Sequence, residues 1–391
     1  MTIVMVVLVG VHLFSDFGIR GSIVYHERGE DPAFLNTAWT LQIIRGLTLW
    51  IVIAAIAWPM ATFYENAELL VVLPVVGLTA LIDGFASTAR FTLIRRLTPA
   101  RQVALELGAR VLSVCVMIAW AVITPSIWAL VAGALTMSLA NTILSYALIP
   151  GSANRLMLER PALQSLFSYG RWILLGAGLS FLLLQGDRMV LGKILSAEQL
   201  GVYSIAIVFT EALLQPIQTL ANSILQPLYA RLTDNTRDER RRKIFRARAL
   251  LLAGTIPGAW VLAIFGQQII QFLYDERYWD AGWMLRVLAV GVIGSILGAT
   301  SDRAILAVGD SLSYLILQTL RSILLVSAMA AGYATGGLPG FLIGLSCARL
   351  FDYVPLAFFL RRHRVWLPKL DLMVLGASAA VITLGAWITA R

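Results

Sequence analysis

The sequence is poor in charge. Only 14% of its 391 residues are Asp, Glu, Lys or Arg, against 59% that are hydrophobic. A soluble domain of ordinary composition carries roughly a quarter charged residues, so that class is excluded. The chain has two cysteines, Cys115 and Cys347, both within apolar stretches, which argues against a disulfide framework or a thiolate metal centre. The three histidines, His12, His26 and His363, are scattered along the chain, and neither a metal nor a cofactor is expected. There is no nucleophile elbow, no phosphate-binding loop and no ligand cluster. Glycine-rich stretches such as Gly176–Ala177–Gly178 suit close helix packing rather than phosphate binding.

What the chain has in abundance is apolar segments of about 20 residues, the length that spans a bilayer. Twelve are expected: 1–14, 36–58, 67–89, 103–123, 126–148, 166–190, 200–226, 247–272, 280–302, 312–332, 337–360 and 370–389. The fold class is therefore all-α, a polytopic membrane protein. The net charge of +9 does not point to nucleic acid, because its distribution is lopsided. Of 31 Lys and Arg, 21 fall in every second connection (15–35, 90–102, 149–165, 227–248, 303–311 and 361–369). Four lie on the opposite side and six within spans, an asymmetry that marks the basic side as cytoplasmic. The run Arg237–Arg248 then reads as a topology anchor near anionic headgroups. The first segment is short and its topology starts outside, so one helix is expected to precede Met1. A secretory signal peptide fits poorly, since no basic region leads the apolar stretch.

The sequence also repeats. Arg110 in ELGARVLSV aligns with Arg321 in QTLRSILLV, and Gly133 with Gly344, both 211 residues apart, while Arg90 and Arg303 are 213 apart. Six spans separate the copies, which makes the repeats parallel, an arrangement used by alternating-access transporters. This gives two lobes around a central cavity. Residues 1–150 form the first lobe with about five helices, 151–165 an inter-lobe linker, 166–362 the second lobe with six helices, and 363–391 an additional helix. In the linker, Leu163, Leu166 and Phe167 form an amphipathic stretch expected along the inner interface. Pro74, Pro216, Pro257 and Pro355 serve either as static kinks or as hinges.

A polar row carries the functional argument. Glu211, Gln215, Gln218, Asn222 and Gln226 are spaced 4, 3, 4 and 4 apart and share one helix face. Facing hydrocarbon would cost several kcal/mol, so the row is expected to face protein or a water-filled passage. Arg45, Arg110 and Arg321 lie within spans, Arg45 and Arg321 near mid-depth, where charges face a bundle interior. Arg110 has Glu106 one helical turn before it, so an intrahelical pair competes with a substrate-facing role. Arg45 and Arg321 have no acid nearby in sequence, and a guanidinium suits phosphate recognition. Glu211 is the most deeply placed acid and could bind a coupling cation or pair with an Arg. Asp187 and Arg188 read as end charges of the sixth span. Asp83 and Asp302 are expected to pair with Arg90 and Arg303 or to contact water. Arg286, Arg349 and Asp352 are expected to snorkel.

The stretch 167–206, FSYGRWILLGAGLSFLLLQGDRMVLGKILSAEQLGVYSIA, resembles the opening of the second half of Wzx-like oligosaccharide flippases. These are polysaccharide biosynthesis proteins of the multidrug/oligosaccharidyl-lipid/polysaccharide exporter superfamily. SDFGIRGSIV (15–24) resembles the end of that family's second helix, which agrees with a first family helix preceding Met1. The resemblance implies two six-helix lobes about a V-shaped cavity that moves undecaprenyl-diphosphate-linked sugars outward across the bacterial cytoplasmic (inner) membrane. The implied partners are the lipid-linked oligosaccharide, membrane lipid, polysaccharide polymerase and glycosyltransferases, with no nucleic acid. Asp187, Gly201 and Tyr203 match the family pattern, in structural roles. The alternatives are a cation-coupled multidrug antiporter of the same superfamily, disfavoured by six span Arg against one deep acid, and a membrane glycosyltransferase or polymerase. An enzyme acting on glycans would need a sizeable outer loop, and the outer connections are short, so a non-enzyme is expected.

Overall fold

The structure is a computed structural model. It describes residues 2–15, 19, 23, 28–95, 99–147, 154–221, 225, 228–229, 237–302, 304–305, 310–363 and 365–389. Asn222, Gln226 and Arg303 lie outside the described residues, as does most of 15–24. Among the described residues the chain is helical, with no strand. It divides into two compact units, Met1–Ile194 and Leu195–Arg391.

The first unit holds α1 (Thr2–Ser15), α2 (Pro32–Phe63), α3 (Leu69–Gly84), α4 (Ala89–Arg95), α5 (Pro99–Ile123), α6 (Ile127–Ala147) and α7 (Arg160–Ile194). Helix α2 packs along α3, α5 along α6, and α3 against α6. Small residues allow the first of these contacts. The ideal Cβ of Gly84 would stand 3.0 Å from the Gln42 carbonyl oxygen, and that of Gly46 would meet the Ala80 carbonyl. The second unit holds α8 (Ala197–Leu220), α9 (Arg237–Leu273), a 3-10 turn (Glu276–Tyr278), α10 (Asp280–Ser301), α11 (Ser311–Phe351), α12 (Tyr353–Arg362) and α13 (Pro368–Thr389). Helix α10 is its centre, packed by α8, α9 and α11, with buried residues at nearly every position from Met284 to Ser301.

Eight helices among the described residues are long and apolar enough to cross a membrane. Each of the twelve expected spans falls on a helix. The tenth and eleventh are the two arms of α11, which bends at Gly336–Gly337. Gly337 has φ of +59° and ψ of −138°, a conformation in which a Cβ would clash with its own backbone. The arms then return antiparallel with their backbones touching. A Cβ on Gly332 would fall on the Gly340 carbonyl, one on Gly340 on the Gly332 carbonyl, and one on Gly344 on the Ala328 carbonyl. This is small-residue packing of the kind that membrane helices use in place of a hydrophobic driving force. The repeat recurs here at the level of contacts. In the first unit Gly133 faces Met117, with the ideal Cβ 3.2 Å from the Met117 Cβ. Met117 and Gly133 are each displaced by 211 residues from Ala328 and Gly344.

The helix that crosses the expected lobe boundary packs with the first unit. The sequence reading starts the second lobe at residue 166, whereas α7 (Arg160–Ile194) packs on α1 and α2. Phe181 lies against Gly10 and Phe14. The Tyr64 hydroxyl donates to the Met189 carbonyl at 3.1 Å, and Lys193 pairs with Glu65 at 2.8 Å. Within the linker, residues 154–159 run without helix and hang on α2 through alternate amides. Arg155, Met157 and Glu159 N–H donate to Asn36 Oδ1, Thr40 Oγ1 and Thr37 Oγ1. The Glu159 carboxylate accepts from Arg28 at 2.9 Å. Leu166 is buried among Phe34, Ala38, Phe91 and Ala162, so that side of the amphipathic stretch faces protein, and only Phe167 stays exposed.

Two aspartates cap the long helices outside the membrane-spanning segments. Asp31 accepts from Arg28 and from the Ala33 amide, and Asp310 from the Ser313 hydroxyl and amide. These bonds hold both carboxyls below the ordinary carboxylate range, through the Arg28 bond at Asp31 and the Ser313 hydroxyl at Asp310. A lowered value stabilises the fold above the unfolded carboxylate pKa, and the stabilisation is lost as pH falls through the folded one. Thermal unfolding in detergent should therefore be flat above about pH 5 and fall below about pH 4, with a shallower acid limb in Asp31→Asn/Asp310→Asn. Separately, Gly340→Ala should destabilise by about 1–3 kcal/mol, read as a lower melting temperature. Gly336→Ala, where no atom lies within 4 Å of the new Cβ, should be close to neutral.

Candidate functional site

The polar row lies on α8. The buried stripe of this helix runs through Tyr203, Ala206, Ile207, Thr210 and Ile217 and faces α10 and α9. At about 100° per residue, Glu211, Gln215 and Gln218 lie roughly a quarter-turn from that stripe. Glu211 and Gln218 are half-buried and Gln215 is exposed. The row thus flanks the packed face. Asn222 and Gln226, its continuation, lie outside the described residues.

The three span arginines have different surroundings. Arg45 is half-buried on α2, one turn from Gln42. Gln42, 1% exposed, donates its amide to the carbonyls of Asp83, Gly84 and Ala86 at 3.0, 3.1 and 2.9 Å. It supplies donors to the carbonyls of Asp83 and Gly84 at the end of α3, which have no partner within the helix, and to that of Ala86 just beyond it. Arg110 is exposed on α5 and, among the described residues, has no side-chain hydrogen bond or ion pair.

Arg321 corrects the expectation of an uncommitted cation near mid-depth. Its Nε donates to Asp352 at 2.6 Å, and its Nη1 to Asp302 at 3.2 Å and Gln318 at 2.9 Å. Arg321 lies fifteen residues before Gly336 and Asp352 fifteen after Gly337, so the antiparallel arms of α11 bring them together. The pair sits roughly 22 Å below the bend, in the inner third of a core about 30 Å thick. Asp352, expected to snorkel, and Asp302, whose expected partner Arg303 lies outside the described residues, both clamp this guanidinium. Two carboxylates against one guanidinium leave no surplus positive charge for a substrate anion.

Two of the three motif residues, Asp187 and Tyr203, are buried. Asp187 and Arg188 are 3% and 9% exposed, inside α7 rather than at its end. The Asp187 carboxylate accepts from the Arg188 amide at 2.8 Å, and Arg188 Nη1 donates to Gln185 at 3.1 Å. Tyr203 is fully buried on the packed stripe of α8, and Gly201 has open space where a Cβ would be.

The sequence reading missed a second polar cluster. Arg248, read as part of the topology anchor, forms a 2.6 Å ion pair with Asp371, the two side chains being 1% and 0% exposed. Asp371 also accepts from the Tyr353 hydroxyl at 2.8 Å, and that hydroxyl accepts from Trp366 Nε1 at 3.0 Å. The signal was present. Ile244, Arg248, Leu252, Ile256 and Ala259 are spaced 4, 4, 4 and 3 apart and all are buried, so a cation on the packed stripe of α9 demanded an acid. Nearby, burial pushes the Tyr229 phenol up to about 12. Among the described residues no group of three His, Cys, Asp or Glu could hold a metal ion.

These features define a multi-pass, all-helical membrane protein with two repeat-related units and charged residues placed inside its spans. The sequence matches a family model described as polysaccharide biosynthesis protein over residues 1–282, and the chain belongs to that family. No curated protein matches the sequence. Solved structures share the fold. The inward closed conformation of lipid II flippase MurJ aligns with a TM-score of 0.70 at 13% identity, covering 97% of this chain and 82% of that one. An inward-facing multidrug resistance MATE family transporter of the MOP superfamily aligns at 0.64 and 17% identity, covering 92% and 88%. A MOP superfamily transporter from Pyrococcus furiosus aligns at 0.61 and 16%, covering 92% and 85%.

Removing one partner of the buried pair strands a charge. Asp371→Ala should lower stability by about 3–5 kcal/mol, whereas Arg248→Met/Asp371→Leu should recover most of that loss. The melting temperature of the purified protein in detergent checks both.

Proposed function

We propose that this protein flips a polyprenyl-diphosphate-linked oligosaccharide across the bacterial cytoplasmic membrane by alternating access, for surface polysaccharide biosynthesis. It acts as a transporter and not as an enzyme. Membership of the polysaccharide biosynthesis protein family carries the reading, and the fold shared with MOP superfamily transporters supports it. A diphosphate at the depth of the spans is prohibitively costly without a cation. Arg110, exposed and uncommitted, is the best-suited donor to that anion, with Arg45 beside it in role. Glu211, Gln215, Gln218 and Asn222 offer hydrogen bonds to the glycan while the polyprenyl tail stays in lipid. Arg321 contributes by holding α10 to both arms of α11. Polymerase and glycosyltransferases are the partners this function implies.

Arg110→Ala should lower surface polysaccharide and leave lipid-linked precursor on the inner side, at normal protein level. Arg321→Ala should lower the amount of folded protein itself. Normal export by Arg110→Ala and Arg45→Ala together would remove the anion role. The competing antiporter reading rests on Glu211 as a cation site; it requires that loss of the gene raise drug sensitivity without changing surface glycan.

A further inference from the structure

We infer that the basic end of the second unit is a binding surface for anionic phospholipid headgroups in the adjacent leaflet, assembled from three helices. Arg241, Arg242, Lys243 and Arg246 are exposed on the first turns of α9. Arg361 and Arg362 are exposed at the end of α12, and Lys369 at the start of α13. All these helix ends lie on the side to which the sequence assigns most of its Lys and Arg.

The surface is built, not a loose tail. Ile244, Leu360, Val365, Leu367 and Leu370 share one buried cluster, and the Arg248–Asp371 pair ties α9 to α13 beneath it. Helix α9 has 37 residues, roughly 55 Å, against a hydrocarbon core of about 30 Å. Its first turns therefore stand in the headgroup region. Among the described residues the cations outnumber the nearby acids. Glu239 is engaged by Lys243 at 2.8 Å, and Asp310 accepts from the Ser313 amide and hydroxyl. Phe245 and Leu250, 42% and 76% exposed, flank the cations and suit the acyl boundary below the headgroups. Four to eight cations beside a membrane span bind anionic lipid electrostatically, each contributing additively near the surface. The inference is independent of what the protein transports.

The test uses the full chain purified in detergent, with phosphatidylglycerol or phosphatidylcholine titrated in as mixed micelles. Wild type should bind phosphatidylglycerol at least about tenfold more tightly at low salt, and the preference should fade as salt shortens the screening length. Arg241→Gln/Arg242→Gln/Arg246→Gln and Arg361→Gln/Arg362→Gln/Lys369→Gln should each reduce the preference by about tenfold. Both variants should keep the wild-type melting temperature in phosphatidylcholine. Equal binding of the two lipids by wild type overturns the inference. An effect confined to the α9 variant overturns the three-helix surface. If a variant does not fold, wild type decides alone: a preference that survives about 0.5 M salt is not electrostatic and overturns it.

Discussion

Hydrocarbon offers no hydrogen-bond partner, so every polar group carried into the bilayer must be satisfied by the protein. Much of this molecule follows from that constraint. Gln42 spends its amide on three carbonyls at and just beyond the end of α3. Arg321 draws together the end of α10 and both arms of α11 through Asp302 and Asp352. Arg248 fixes the last helix through Asp371, itself held by Tyr353. In each case a group that would be costly alone becomes a cross-link between helices because its partner is already in place. Such cross-links are weak sources of stability compared with apolar packing, but breaking one is expensive.

The second organising force is close backbone approach. Lipid tails are as apolar as leucine, so helices gain from dispersion and fit rather than from expelling water. Gly332, Gly340 and Gly344 let the two arms of α11 touch, and Gly133 does the same for α5 and α6. Gly133 and Gly344 occupy matching repeat positions, yet the charges nearby have diverged. Arg110 and Arg321 are repeat equivalents, but the position matching Asp352 is Asn141. One guanidinium is clamped by two carboxylates and the other is left exposed. Two halves of similar architecture thus place the equivalent arginine in different surroundings, one buried in a cross-link and one exposed.

Family membership and the shared transporter fold give this difference its context. Under the function proposed above, a carrier of a charged headgroup needs fixed charges that are not already neutralised, and it needs rigid units on which to hold them. The cross-links in the second unit supply rigidity, and the proposal assigns the charge to the exposed Arg110 on α5. The basic ends of α9, α12 and α13 belong to a different solvent, the headgroup layer, where long cationic side chains are stable without protein partners.

The all-helical, multi-pass character of the chain was legible in the sequence, because apolar runs of bilayer length are a one-dimensional signal. The parallel repeat was legible through Arg110 and Arg321, Gly133 and Gly344, since recurrence survives without coordinates. Which charges pair was not. Arg321 and Asp352 meet because α11 folds back at Gly336–Gly337, Asp302 joins them from the end of α10, and Arg248 meets Asp371 across 123 residues. Nor did the sequence show α7 packing with the first unit, which depends on Gly10 and Gly192 admitting the aromatic rings of Phe181 and Tyr64. Sequence alone determined that the chain lives in a membrane, because hydropathy adds along the chain. Only the tertiary structure decided which arginine is spoken for, because charge compensation is a property of neighbours in space.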